Sequence, residues 1–230
     1  DTLFPSIFFN TNGDNQWGTA ANWNPAYVPT SYTDVKILVN QSIQIASSTT
    51  ALANNIVVNS GGSLTIDQTS SLTVSDDFTN NGTVTLNSGG SLIVNGTSSG
   101  NITYNRTLDT DNWYLVSSPV VGETYDDAYV TANGIASGTQ NTNSRGIAPY
   151  VTIDDSWDYM LAGETATFSA GTGYSVQRSS AGDVSFTGTL NVADAGVDVV
   201  LDATGNRFNL LGNPYSSHIA SATFLTNEAA

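Results

Sequence analysis

The sequence predicts an all-β chain, in which a short right-handed parallel β-solenoid behind an N-terminal cap is followed by an antiparallel, β-sandwich-like region. Three observations carry that expectation. Short apolar strands of alternating pattern follow one another from Val35 to Tyr104. Within them Asn59-Ser60-Gly61-Gly62-Ser63-Leu64 returns as Asn87-Ser88-Gly89-Gly90-Ser91-Leu92, twenty-eight positions later. A helix of ordinary length is nowhere supported by 3.6-residue periodicity, and only one turn near Ser221–Leu225 reads as helical. Repetition of short strands between tight corners is the pattern of stacked coils, each burying its apolar face against its neighbours.

Residues 1–34 read as the cap. Phe4, Phe8, Phe9, Trp17, Trp23, Tyr27 and Tyr32 alternate there with Asn-Gly, Asn-Pro and Val-Pro punctuation. A solenoid needs such a cover, because an open coil end offers free strand edges to other chains. Residues 35–105 read as the coils, with strands at Val35–Val39, Ser42–Ala46, Asn55–Val58, Ser63–Ile66, Ser71–Val74, Thr83–Leu86, Ser91–Val94 and Asn101–Tyr104. Alternation places Leu64, Ile66, Leu72, Val74, Val84, Leu86, Leu92 and Val94 inward and the intervening Thr and Ser outward. Two or three strands in a coil of roughly 20 to 28 residues make about three coils, and the crossover rule predicts a right-handed path.

Residues 106–230 change texture, with longer connections and more aromatics. Strands are expected at Trp113–Val116, Ala148–Ile153, Ala166–Phe168, Gly173–Gln177, Val184–Leu190, Val197–Leu201 and Phe208–Leu211, which is the count and spacing of an antiparallel sandwich. Asn209-Leu210-Leu211-Gly212-Asn213-Pro214-Tyr215 reads as the entrance to a further element, so the natural protein is expected to continue past Ala230. The opening at Asp1 lacks a basic-then-apolar leader, as expected if an export signal has been removed or left out.

Composition limits the partners. Twenty Asp and Glu face five Lys and Arg, for a formal net charge of −15. Such a surface repels phosphate backbones and anionic lipid heads, which argues against nucleic acid. No apolar run approaches the ~20 residues that a spanning helix needs, so no membrane insertion is expected. The absence of cysteine removes thiolate zinc sites, disulfides and cysteine nucleophiles, and the single histidine, His218, leaves no basis for a histidine metal cage. An Asn-, Ser-, Thr- and Gly-rich surface in place of Lys and Glu points to an extracellular or cell-surface location.

Several passages resemble large cell-surface and secreted multimodular proteins of Bacteroidetes. They are Trp17…Ala21-Asn22-Trp23-Asn24-Pro25…Val28-Pro29, the Asn-Ser-Gly-Gly-Ser-Leu corners and Tyr104-Asn105-Arg106…Trp113-Tyr114-Leu115-Val116-Ser117-Ser118-Pro119. Gly173-Tyr174, Phe186-Thr187-Gly188-Thr189-Leu190 and Gly212-Asn213-Pro214-Tyr215 complete the set. The resemblance implies an adhesin-like or polysaccharide-related β-solenoid protein exported by the type IX system. It supplies no catalytic residues.

Catalysis finds little support. No Gly-x-Ser-x-Gly elbow precedes a helix, and His218 is the sole base for a serine triad. The neighbouring carboxylates Asp76–Asp77, Asp126–Asp127 and Asp154–Asp155 would point to opposite faces of a strand, which makes poor acid and base partners. Calcium is the ion that oxygen ligands of this kind suit. Asp109 and Asp111 flank one turn, and Asp154, Asp155 and Asp158 offer three carboxylates within five residues. Sugar binding would use exposed aromatic faces beside amides and carboxylates; Tyr125, Tyr129, Trp157 and Tyr159 stand in such surroundings, whereas Trp17, Trp23 and Trp113 read as core. Thr65, Thr73 and Thr85 could form an outward row suited to ice or a crystalline glycan, although three coils give it little flat area.

The functional expectation is therefore a non-catalytic extracellular region, structural or adhesin-type, of a larger surface or secreted protein that meets a glycan or another surface protein. Its rival is a carbohydrate-binding module of a polysaccharide-degrading system.

Overall fold

The computed structural model describes residues 7–9, 14–192 and 196–227. The first strands, β1 (Ile7–Phe9) and β2 (Trp23–Asn24), belong to the cap. Coil one then carries β3 (Val35–Ile37), β4 (Ser42–Ile45) and β5 (Thr50–Ala53). Coil two carries β6 (Ile56–Val58), β7 (Ser63–Ile66) and β8 (Ser71–Val74), and coil three β9 (Phe78–Asn80), β10 (Thr83–Leu86) and β11 (Ser91–Val94). A fourth coil begins with β12 (Ser98–Ser99) and β13 (Asn101–Leu108).

Equivalent strands stack in parallel into three sheets, so the expected β-solenoid is present, with three strands to a coil. The rung step is 21, 22 and 20 residues, from Val35 to Ile56, Ile56 to Phe78 and Phe78 to Ser98. Identical register gives continuous inward columns such as Ile43–Leu64–Val84 and Ala51–Leu72–Leu92, all buried. The eight residues expected inward are buried without exception. Three strands escaped the sequence reading: β5 turns only Ala51 and Ala53 inward, β9 has one large apolar residue, and β12 has none.

The 28-residue echo is not the rung. Leu64 lies in β7 and Leu92 in β11, which belong to different sheets, so the echo spans one coil plus one further corner. What recurs is corner chemistry. Gly62 and Gly90 donate their N–H to Asn59 O and Asn87 O at 2.8 Å, with Gly61 and Gly89 at φ 77° and 81°. The same closed turn is made by Asn40, Ser48 and Thr69 at φ 59–67°, where a side chain strains the left-handed backbone. A glycine motif therefore marks only some of the corners.

A polar ladder runs up one edge of the stack. Gln16 Nε2 donates to Gln44 Oε1, Gln44 Nε2 to Asp67 Oδ2 (2.6 Å) and Asn87 Nδ2 to Asp67 Oδ1 (3.1 Å). Asn105 Nδ2 donates to Asn87 Oδ1, and Ser185 Oγ to Asn105 Oδ1. Cap, coils and second half are thus joined through side chains as well as strands. At the foot of the stack β1 pairs in parallel with β3, and Trp17 N and Gln44 N bond to Gln44 O and Asn15 O. Trp17 and Trp23 meet edge to face at 4.9 Å and are buried, as expected of a cap that covers an apolar coil end.

The second half contains β14 (Trp113–Val116), β15 (Val120–Val121), β16 (Thr124–Tyr125), α1 (Asp127–Ala132), β17 (Ile147–Val151) and β18 (Ser156–Trp157). β19 (Ala166–Thr167), β20 (Tyr174–Gln177), β21 (Gly182–Leu190) and α2 (Ser221–Asn227) complete it. Its antiparallel sheet runs β14-β20-β17-β18. β21 is antiparallel to β13 from Asn101↔Thr189 to Leu108↔Gly182, and one six-stranded sheet, β15-β21-β13-β10-β7-β4, therefore passes from the coils into the second half. The expected boundary at 105/106 falls inside β13. Phe168 sits between Phe186 of β21 (5.1 Å) and Tyr174 of β20 (4.8 Å), which makes the aromatic filling of a sandwich-like arrangement. Buried side chains form a single cluster from Trp17 to Leu190.

The short strands β15, β16 and β18 were not expected, and α1 and two expected strands also differ. α1 was not foreseen; Asp126 caps it by accepting the Tyr129 N–H at 2.8 Å. The strands expected at Val197–Leu201 and Phe208–Leu211 do not form. Val200 is 94% exposed, and the second segment pairs only through the isolated bridge Thr172↔Leu211, with Gly173 N and Thr152 Oγ1 donating to Leu210 O and Phe208 O. The helical turn read near Ser221 is α2.

Candidate functional site

The best-formed aromatic site lies on the outer side of the β14-β20-β17 sheet. In β14, Tyr114 and Val116 turn toward the core and Trp113 and Leu115 outward. Trp113 is 46% exposed and meets Tyr159, 38% exposed, edge to face at 5.7 Å. Together with Gln177, which lies opposite Trp113 in β20, and the loop 136–146, the pair lines a cleft of about 310 Å³. That is the lower end of the usual ligand-site range.

The loop is held by its own backbone. Gly138 N donates to Ser144 O (2.9 Å), Ser144 N to Asn141 O (3.0 Å) and Ala136 N to Gln177 O (2.9 Å). Arg145 is committed to the same task, its Nη1 donating to the carbonyls of Thr142, Asn143 and Ser144 and its Nε lying 3.9 Å from the Asp127 carboxylate. Gln177 Nε2 donates to Asp111 O at 2.8 Å, which fixes the amide at the cleft wall. No acidic residue lines the cleft. Aromatic faces beside fixed amides and hydroxyls, with the one cation already satisfied, can hold an uncharged polyhydroxylated ligand by stacking and hydrogen bonding.

The residues singled out in the sequence are divided by the structure. Tyr159 belongs to the cleft. Trp157 is exposed but packs on Tyr150 (5.4 Å), away from the Trp113 pair. Tyr125 and Tyr129 are 6% and 7% exposed, and this corrects their reading as sugar platforms. Both rings pack on Phe168, and burial raises the Tyr125 hydroxyl to about 12 and the Tyr129 hydroxyl far above the ordinary phenol range. Trp113, read as core, is the reverse correction. The alternation of Trp113-Tyr114-Leu115-Val116 contained the signal, but only once Val116 was known to face inward.

The carboxylates expected to suit calcium are not gathered into one cluster. Among the described residues no three Asp, Glu or His side chains converge on a point where an ion could sit. Asp155 accepts the Tyr150 hydroxyl, the Asp158 N–H donates to Pro149 O (3.1 Å), and Asp111 contributes its carbonyl to Gln177. Asp154 and Asp155 lie in the turn between β17 and β18, and Asp109 and Asp111 in the bend between β13 and β14. Among the described residues Glu123 is the one carboxyl pushed upward, by burial, and it accepts the N–H groups of Thr187 and Thr124. The threonine row is changed as well. Thr65 and Thr85 are aligned with Thr103 and Thr187 across one sheet, while Thr73 lies on another.

Fold and site together define a capped β-solenoid fused through a shared sheet to an antiparallel module that carries an aromatic cleft. The chain belongs to a family described as a domain of unknown function, DUF8693, whose model matches residues 8–230. No curated protein and no solved structure matches it. No helix among the described residues is long and apolar enough to cross a membrane.

Proposed function

We propose that this chain is a non-catalytic, extracellular region of a larger surface or secreted protein, a stiff spacer that holds neutral glycans in the Trp113–Tyr159 cleft. The observation that carries the reading is the half-exposed Trp–Tyr pair beside fixed amides, in a cleft with no carboxylate. Stiffness is supported by the unbroken parallel register of the coils and by the continuous core. The same cleft favours a second reading, a carbohydrate-binding module that serves polysaccharide degradation. The two separate on whether a hydrolase domain shares the polypeptide.

The test is calorimetric titration with neutral gluco-, manno- and xylo-oligosaccharides, paired with pull-down on insoluble polysaccharide. Saturable binding that weakens about tenfold or more in Trp113→Ala is expected, since a stacked aromatic is a typical anchor. Trp157→Ala should bind as the parent does. Unchanged binding in Trp113→Ala, or no binding to any neutral saccharide, would refute the reading.

A further inference from the structure

We propose that the cleft between the last coil and the segment 210–218 is a second binding site, made for a carboxylate-bearing sugar. Its starting point is a residue in an unexpected row. Tyr104, Arg106 and Leu108 alternate along β13, and their partners across β21 are Phe186, Val184 and Gly182. Phe186, Val184 and Leu108 are fully buried, so Arg106 occupies a core-facing position of the sheet. One rung lower the row is apolar at Leu86, beside Tyr104, but β10 ends there and Ser88, in the corner that follows, lies beside Arg106. A guanidinium is tolerated at such a position only if its head escapes the apolar layer. Arg106 is exposed, and it lines a cleft of about 380 Å³.

The walls are fixed on both sides. The segment 210–218 is stitched to the second half by Gly173 N to Leu210 O (3.0 Å) and Ser117 Oγ to Asn213 O (3.0 Å). It is stitched to the last coil by Leu92 N to Ser216 O (2.9 Å) and Ser216 Oγ to Leu92 O (2.7 Å). A cleft of this volume admits one or two sugar rings.

Its charge sets it apart from the rest of the molecule. The chain has 20 acids against five Lys and Arg and one His, yet Arg106 and His218 both line this cleft and no Asp or Glu does. Arg106 makes one long contact, Nη1 to Ser88 Oγ at 3.4 Å, and is in no ion pair among the described residues. Its planar fork of donors fits a carboxylate in two-point fashion. Leu115 and Leu211, 62% and 40% exposed on the rim, offer an apolar strip to the C–H face of a sugar ring. The Trp113 cleft also has a cation and no carboxylate in its lining, but its Arg145 is committed to three carbonyls and to Asp127, so the two sites differ in the charge of the ligand they suit.

The experiment titrates the full chain with digalacturonate, with its methyl ester and with an N-acetylated dipeptide bearing a free carboxylate, followed by calorimetry or chemical-shift mapping. Digalacturonate should bind, its ester about tenfold or more weakly, and Arg106→Gln should lose digalacturonate binding by a similar factor while it melts as the parent does. Trp113→Ala should leave digalacturonate binding intact, which separates this site from the neutral-glycan cleft. Equal affinity for acid and ester, full affinity in Arg106→Gln or no binding of digalacturonate would overturn the proposal. Binding of the dipeptide in place of digalacturonate would overturn the sugar assignment.

Discussion

The coils and the antiparallel half are built from the same strand-forming residues, yet they divide the work. In residues 35–100 each strand has two to four residues and each corner closes in a tight turn, so no loop is long enough to stand away from the sheet and form a wall. The outward side is flat, with Thr and Ser interspersed by Lys36, Gln44, Leu52, Val57 and Ile93. In the second half, loops such as 136–146 leave the sheet, are braced by their own hydrogen bonds and enclose space. Both proposed sites accordingly draw on the second half, and the coils contribute only where the last one ends. Repetition leaves a continuous core, and departure from repetition leaves clefts.

That contrast can be broken most sharply in the core. Phe186→Ala, which removes a fully buried ring in contact with Tyr104, Tyr129 and Phe168, should cost about 3–5 kcal/mol in urea denaturation. Leu64→Ala, in the middle rung between Ile43 and Val84, should cost about 2–4 kcal/mol. Because one core runs through both halves, each variant should unfold in a single transition. Two resolved transitions would show that coils and sandwich fold separately.

Smaller effects sharpen the picture. Asp67 accepts from the coil below through Gln44 and from the coil above through Asn87, so Asp67→Ala should cost about 1–2 kcal/mol and Asp67→Asn less. Thr69→Gly should be neutral to stabilising by up to about 1 kcal/mol, because relief of a left-handed threonine opposes the added chain entropy; the same change at Ser71, in a strand, should destabilise.

Acid titration should separate Asp77 from Glu123 by sign. Asp77, on the coils, is held below its ordinary value of 3.8 by the Thr97 N–H and hydroxyl, so its contribution is present above that value and is lost as pH falls through the folded one. Glu123, in the second half, is raised above 4.5 by burial, so the folded state holds its proton longer and stability declines as pH rises through that window. Asp77→Asn should flatten the acid-side loss and Glu123→Gln the decline above it, measured as denaturation midpoints from pH 2.5 to 7.

Much of the first half was legible because its signal is local. Alternation alone identified the inward row, and the strands Ser63–Ile66, Ser71–Val74, Thr83–Leu86 and Ser91–Val94 have the expected bounds. The rung length was not legible from the glycine echo, since two equal corners on different faces look like a period. In the second half the aromatic residues were visible but their exposure was not. Tyr125 and Tyr129 stand among acids in the chain and among rings in space, and Trp113 stands among apolar neighbours in the chain and in the open in space.

The chain's own order of residues determined that it would be all β, where the coil strands lie and which of their side chains point inward, because alternation between two faces is a property of the extended backbone. Only tertiary structure decided that β13 would outrun its coil and pair with a strand about eighty residues further on, and that Arg106 and Trp113 would each open onto a cleft. Those outcomes depend on which surfaces long-range packing leaves uncovered, and no local pattern encodes that.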